Sequence, residues 1–309
     1  MSGTMKRKYP FLILALLVCL PAACRKGADD ASSDRGGPVR IGYMICNSLA
    51  ESKARFEPIT AYLSEKTKRH FESVYVNTFE FEDLVRDKKI EFTHTNSILY
   101  IIFAKDYGAK LLATEVRGRH GYQDTGVIIS LKKSGINSFE DMKGKTMVFG
   151  PALAPFGYMA QYYLMLANGF DPEKDLAYYA IPWGAFKHEK LIYAVKFGAY
   201  DVGAAPRLDM DRMATEGKIN PDDFHVIAES IPMPYCTVAA LPHADPTLAK
   251  KVEDILVNLK TDETVLVKGE VLNVCKRAYI EGFVKVDDRE YDTIRERLKR
   301  CNMAPYRKY

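Results

Sequence analysis

The chain has 309 residues, of which 44 are Lys or Arg and 40 are Asp or Glu, giving a formal net charge of +4. Three of the basic residues stand in the first 23, so beyond them 41 face 40 and the body carries no basic excess of the kind that nucleic-acid binding needs. A body of this size exceeds what one small core holds, which leaves one large α/β unit or two lobes.

Lys6, Arg7 and Lys8 precede an apolar run over 11–20, and Pro21-Ala22-Ala23-Cys24 follows it. The run is roughly half of what a bilayer-spanning helix needs, its flank is basic, and small residues follow, a pattern that predicts a cleaved export signal over 1–23. The cysteine after Ala22-Ala23 resembles the lipobox of bacterial lipoproteins, which implies acylation of Cys24, although Pro21 holds the place where Leu is usual. The other reading is an ordinary signal peptide with an incidental Cys24. Residues 24–38 are rich in Gly, Ser, Asp and Arg with no apolar period, as expected of a flexible tether that holds a globular body near the outer face of a bacterial membrane.

Residues 39–45 read as a first strand ending in the polar loop of Asn47 and Ser48, and Phe56, Ile59 and Leu63 then recur at helical spacing. Strands follow over 74–79 and 90–93, the latter leading into His94-Thr95-Asn96-Ser97, with helices over 81–87 and 98–105 and a strand over 109–116. This alternation predicts a parallel sheet with crossover helices. A second block opens with a strand over 127–130 and another over 146–149. It continues through Gly150-Pro151-Ala152-Leu153-Ala154-Pro155 into a helix over 156–168 closed by Gly169. A helix over 188–197, the run 201–205 and a strand over 224–228 complete that block. A strand over 235–241 and helices over 246–259 and 288–299 are candidates for a return to the first block.

Cys46, Cys236, Cys275 and Cys301 remain once Cys19 leaves with the signal and Cys24 is assigned to lipid. Several pairings are open in an oxidising compartment, and Cys275 with Cys301 would staple two C-terminal helical segments. The cysteine spacings carry no metal signature, and neither CxxC nor CxxCH occurs. No GxSxG, HExxH, GxGxxG or P-loop sequence is present and the six histidines are scattered, so the chain reads as a binder, not an enzyme, with no catalytic residue, metal or cofactor.

Ser138-Phe139-Glu140-Asp141-Met142-Lys143-Gly144-Lys145 running into 146–149 resembles a segment of the periplasmic binding proteins of phosphate, phosphite and phosphonate ABC importers. Arg55-Phe56-Glu57-Pro58-Ile59 with Tyr62-Leu63, Gly198-Ala199-Tyr200-Asp201-Val202-Gly203-Ala204 and Ile231-Pro232-Met233-Pro234 resemble further segments in the same order. The resemblance covers most of 39–260. It implies an α/β, type II periplasmic-binding-protein fold. Two lobes, 39–125 with 234–309 and 126–233, would each hold a central, mostly parallel sheet flanked by helices, joined by two hinge strands. It also implies a small anionic ligand gripped between the lobes and a membrane permease as partner, with the protein acting as a monomer. A membrane sensor such as a histidine kinase is the other partner such a fold can serve, and a non-transport interaction protein with an empty cleft is a third reading.

In relatives the loop before the lobe-two helix carries a Ser-Thr-Ser-Gly type run that holds phosphonate oxygens, and here the aligned residues are Ala154-Pro155-Phe156-Gly157. The hydroxyls are gone and Pro155 has no N–H, so Phe156 and Tyr158, with Tyr43, Tyr100 and Tyr122, suggest a more aromatic cleft suited to a carboxylate or larger organic anion. These tyrosines read equally as half-buried core. Thr95, Asn96 and Ser97 take the place of a family loop that faces the cleft, or form a plain helix N-cap. Asn47 and Ser48 are placed similarly. Gly157 and His188 match further ligand positions, Asp201 matches either an amine-binding or a structural aspartate, and Arg117 and Arg207 are the cationic candidates.

Overall fold

The computed structural model describes residues 37–308 apart from residue 185, so the export signal, Cys24 and nearly all of the tether lie outside the described residues. The first strand, β1 (Val39–Met44), is followed by helix α1 (Leu49–Thr67), whose start is capped by Ser48 Oγ accepting from Glu51 N at 3.2 Å. Phe56, Ile59 and Leu63 bury the helix face against Val39, Ile41 and Tyr43. β2 (Phe71–Val76) runs parallel to β1 with Phe71 opposite Val39. It starts three residues earlier than the apolar pattern predicted, because Phe71 is buried in the same core while Phe79 leaves the sheet for the surface. After α2 (Phe81–Arg86) comes β3 (Phe92–Thr95), which extends two residues past its predicted end, so His94 and Thr95 belong to the ladder, with His94 opposite Tyr43.

α3 (Ser97–Tyr107) and β4 (Lys110–Val116) complete this part before the chain crosses through the two-residue β5 (Gln123–Asp124) into β6 (Gly126–Leu131). A second sheet is then built by β7 (Thr146–Val148), α4 (Ala160–Ala167), α5 (Pro172–Asp175), β8 (Tyr178–Ala180), α6 (Glu189–Lys196), β9 (Val202–Pro206), α7 (Arg207–Thr215) and β10 (Phe224–Glu229). Its strand order is β10-β6-β9-β7-β8, with β7 parallel to both neighbours and β6 antiparallel to both of its own. The chain returns through β11 (Met233–Pro234), which pairs antiparallel with β5, so the two crossings lie side by side.

β12 (Thr237–Ala240) then enters the first sheet between β3 and β4, antiparallel to each. Beyond α8 (Pro246–Val257) lies a hairpin of β13 (Thr264–Val267) and β14 (Glu270–Asn273), which sequence reasoning missed. Its two-residue turn is Lys268-Gly269, with φ of 51° and 87°. Such a turn needs positive φ at both positions, and Lys in the first of them hides the usual Asn-Gly or Asp-Gly signal. α9 (Val274–Ala278), β15 (Gly282–Val284) and α10 (Asp292–Arg300) finish the fold, and the first sheet reads β15-β4-β12-β3-β1-β2. The result is a mixed α/β fold with helix-flanked sheets.

Cys46, Cys236, Cys275 and Cys301 are all free thiols. The suggested Cys275 to Cys301 staple is therefore absent: Cys275 lies in the core shared by α1 and α9, whereas Cys301 sits at the end of α10. Among the described residues, no helix is long and apolar enough to cross a membrane, and no group of three or more His, Cys, Asp and Glu side chains is placed to hold a metal ion.

Candidate binding cavity between the two sheets

A cavity of about 100 Å³ lies between the carboxyl end of β1 and the loop that follows β7. On the same measure one water needs about 10–15 Å³, so the space suits a small molecule. Asn47, Asn96, Phe156 and His188, four of the residues picked out from sequence, line it, as does Arg117. Arg55, Asp209, Arg212, Tyr235, Cys46 and Cys236 line it too, and sequence reasoning did not place them there.

The far wall is the loop from Gly150 to Gly157, closed by a 2.6 Å hydrogen bond from Gly150 N to Gly157 O. Pro155 opens a π-helical turn, Pro155–Met159, ahead of α4. The turn is held by Gln161, which is fully buried. Its Nε2 donates to the Phe156 carbonyl at 2.7 Å, to Ala205 O at 3.1 Å and to Val127 O at 3.2 Å, tying the turn to β9 and β6. A Cβ on Gly157 would stand 3.0 Å from His188 Nε2, so glycine there lets the imidazole close on the loop. His188 Nδ1 in turn lies 3.3 Å from Asp209 Oδ2.

Asn96 spans the cavity edge. Its Oδ1 caps α3 by accepting from Leu99 N at 3.0 Å, and its Nδ2 donates across to Leu153 O at 3.0 Å. The N-cap and cavity roles thus coexist in one side chain. Phe156 stacks on Tyr235, with ring centroids 5.6 Å apart and planes within 4°, and the Arg117 guanidinium lies 3.8 Å from the Tyr235 centroid.

Behind Arg117 stands a buried ionic relay. Glu115, fully buried, accepts from His94 Nε2 at 2.8 Å and pairs with Arg117 Nη2 at 3.4 Å. Burial opposes ionisation of Glu115, but Arg117, His94 and Arg55 outweigh it and hold its carboxyl down at about 2. Burial likewise works against Asp209, while the His188 hydrogen bond and the charges of His188, Arg212 and Arg117 keep it below the ordinary carboxylate range. Burial pushes the Cys46 and Cys236 thiols up, so they present apolar, protonated sulfur to the cavity.

Arg55 rises from α1 with Nε and Nη2 donating to Ala278 O at 3.2 and 3.0 Å. Three guanidinium groups reach the cavity: Arg117 is paired with Glu115 and Arg212 with Asp209 and Glu189, whereas Arg55 bonds a neutral carbonyl. Anion binding is the chemistry this arrangement favours.

Other residues proposed from sequence stand elsewhere. Tyr43 is fully buried, stacks on Phe56 with centroids 4.9 Å apart, and bonds Thr60 Oγ1 at 2.9 Å. Thr95 and Ser97 are buried beside the cavity and do not line it, and Gly157 contributes backbone closeness through His188. Tyr122 donates to Glu290 at 3.1 Å on the surface. Tyr158 packs edge-on to Phe149 in the core of the second sheet. Tyr100 is buried against Tyr291. Asp201 accepts from Thr146 N at 2.9 Å and Thr146 Oγ1 at 2.8 Å, which ties β7 to the start of β9 and makes the aspartate structural. Arg207 is paired with Glu229.

Two sheets joined by paired crossings, with an arginine-lined cavity between them, define a solute-binding protein of the α/β class. Residues 41–291 match the family model described as "ABC transporter, phosphonate, periplasmic substrate-binding protein", and the chain belongs to that family. Family members are extracytoplasmic substrate-binding proteins, not enzymes. Among solved structures it is similar in fold to PhnD1 from Prochlorococcus marinus in complex with methylphosphonate, at 14% identity and a TM-score of 0.71, covering 85% of this chain and 98% of that one. The binding protein component of an ABC phosphonate transporter from Pseudomonas aeruginosa gives 19% identity and a TM-score of 0.69, covering 86% and 87%. Among curated proteins the chain is 25% identical over 237 residues to the tetrathionate sensor histidine kinase of Salmonella typhimurium, covering 72% of this chain; it spans 40% of the kinase.

Proposed function

We propose that the protein is a lipid-anchored solute receptor that captures a small organic or oxo-anion in the cavity between its sheets and delivers it, as a monomer, to an ABC importer. The observation that carries this reading is the convergence of Arg55, Arg117 and Arg212 on one cavity between the two sheets. Residues 39–125 with 234–309 would move as one lobe and 126–233 as the other, with β5 and β11 as the hinge. A ligand touching both lobes stabilises the closed form, which is what a permease reads. Acylation of Cys24 would keep the receptor at the outer face of the membrane.

The missing Ser and Thr hydroxyls in 154–157 argue against a site copied from phosphonate binders and for one built on guanidinium groups and apolar walls. A thermal-shift screen of the exported body against phosphate, phosphite, alkylphosphonates, sulfonates, carboxylates and tetrathionate tests the reading. At a hundredfold excess over its dissociation constant a true ligand adds about 2.7 kcal/mol of stability. Silence across the whole screen overturns ligand capture.

The relationship to a sensor kinase supports a second reading, in which the closed form signals to a membrane receptor. Deleting the gene separates the two: loss of ligand uptake supports the importer, and loss of a ligand-dependent transcriptional response with uptake intact supports the sensor.

A further inference from the structure

Two guanidinium groups reach the cavity from opposite sides. Arg117 follows β4 of the first sheet, and Arg212 lies on α7, which follows β9 of the second. Each already commits one nitrogen to carboxylates: Arg117 Nη2 to Glu115, and Arg212 Nη2 to Asp209 at 2.9 Å and Glu189 at 3.3 Å. Yet the Nε of each is buried with no hydrogen-bond partner. A buried donor without an acceptor destabilises the fold, and here the two side chains that carry such donors line one cavity, one from each sheet.

Arg55 adds charge on the Arg117 side, and the two of its nitrogens that bond the protein do so to a neutral carbonyl. Beside Asn47, Asn96 and His188, the lining includes apolar or soft side chains: Met44, Cys46, Cys236, Leu153 and Phe156. A compact tetrahedral anion held by the guanidinium of one wall would leave that of the other without it.

We propose that the natural ligand is a two-ended dianion, two carboxylate, sulfonate or phosphonate groups joined by a short apolar spacer. One end is held by Arg117 and Arg55, the other by the guanidinium of Arg212, and the spacer lies along Cys46, Cys236 and Phe156. This inference rests on the reading of the cavity as an anion site.

Isothermal titration of the purified protein with succinate, ethane-1,2-disulfonate and ethane-1,2-diphosphonate, each set against acetate, methanesulfonate or methylphosphonate, tests it without any variant. At least one two-ended acid is expected to bind about tenfold or more tightly than its one-ended partner. Arg212→Gln is expected to weaken the two-ended acid about tenfold and the one-ended acid less, so that the advantage shrinks, and Arg117→Gln to weaken both alike, with circular dichroism showing each variant folded. Equal affinity for one- and two-ended acids overturns the inference and leaves the anion site standing. So does tighter binding of 2-aminoethylphosphonate, since Asp209 would then be reading an ammonium. No binding by any of these acids overturns the inference, and silence that extends to phosphate, phosphite and tetrathionate overturns the anion site as well.

Discussion

Trp183 and Phe79 stack face to face, ring centroids 4.5 Å apart and planes within 19°, although they come from opposite sides of the cavity. Phe79 follows Thr78 in the turn after the first-sheet strand β2, and Trp183 precedes Gly184 in the loop after β8 of the second; Thr78 and Gly184 both line the cavity. Trp183 remains 83% exposed and Phe79 39% exposed, so the pair is a surface clasp and not core.

Because the chain contains a single tryptophan, the clasp reports its own state. Ligand that favours the closed arrangement should change the Trp183 emission, and Trp183→Ala should weaken binding by about two- to tenfold, in line with the 0.5–1.5 kcal/mol an aromatic pair contributes. A titration in which fluorescence stays flat while calorimetry shows saturable binding would remove the clasp from the mechanism.

Glu115 is expected to be the most damaging single change in the first sheet. Glu115→Gln keeps the shape but removes the charge that compensates buried Arg117, so about 3–5 kcal/mol of stability should go. Its folded-state carboxyl lies at about 2, below the ordinary value, so its contribution is present in full above roughly pH 4.5 and lost as pH falls toward 2. Chemical denaturation between pH 2 and 7 should therefore show a steeper acid limb in the wild type than in the variant; parallel curves would refute the assignment.

Asp124 has the opposite sign. It stands in the crossing strand β5, its Oδ1 accepts from Leu208 N at 3.2 Å, and its Oδ2 is buried without a partner. Burial, with the charge of Asp209, raises its carboxyl to about 7. The folded state thus keeps a proton that the unfolded chain has lost, and stability is given up as pH rises from about 4 to 7. Asp124→Asn should raise the melting temperature at pH 8 and leave it nearly unchanged at pH 4. An equal effect at both values would show that charge is not the cause.

Gly157→Ala should act on the ligand and not on folding. The new methyl would meet His188 Nε2 at 3.0 Å, and the imidazole can swing away at little cost to the core. Affinity for the screened anion is expected to fall about fivefold, near 1 kcal/mol, while the apo melting point moves little. A large loss of apo stability would mean that the Gly150 to Gly157 closure, and not His188, is what the glycine serves.

Local pattern alone determined a good deal about this protein. The order of short segments from Arg55 to Pro234 marked the family, and the loop 154–157 and the positions Asn47, Asn96 and His188 pointed to the cavity wall. Those signals are contiguous in the chain, where a loop follows a strand and sits at its end. Tertiary structure decided the rest. Tyr43 and Met44 are adjacent, yet the pleat sends Tyr43 into the core under α1 and Met44 to the cavity, and a one-residue choice of face is invisible without the neighbouring strands. Arg55, Asp209 and Arg212 carry no local mark of a site, since a helix with a charged face usually shows it to water. Only the return of β12 between β3 and β4, and the paired crossings β5 and β11, bring residues so far apart in sequence around one cavity.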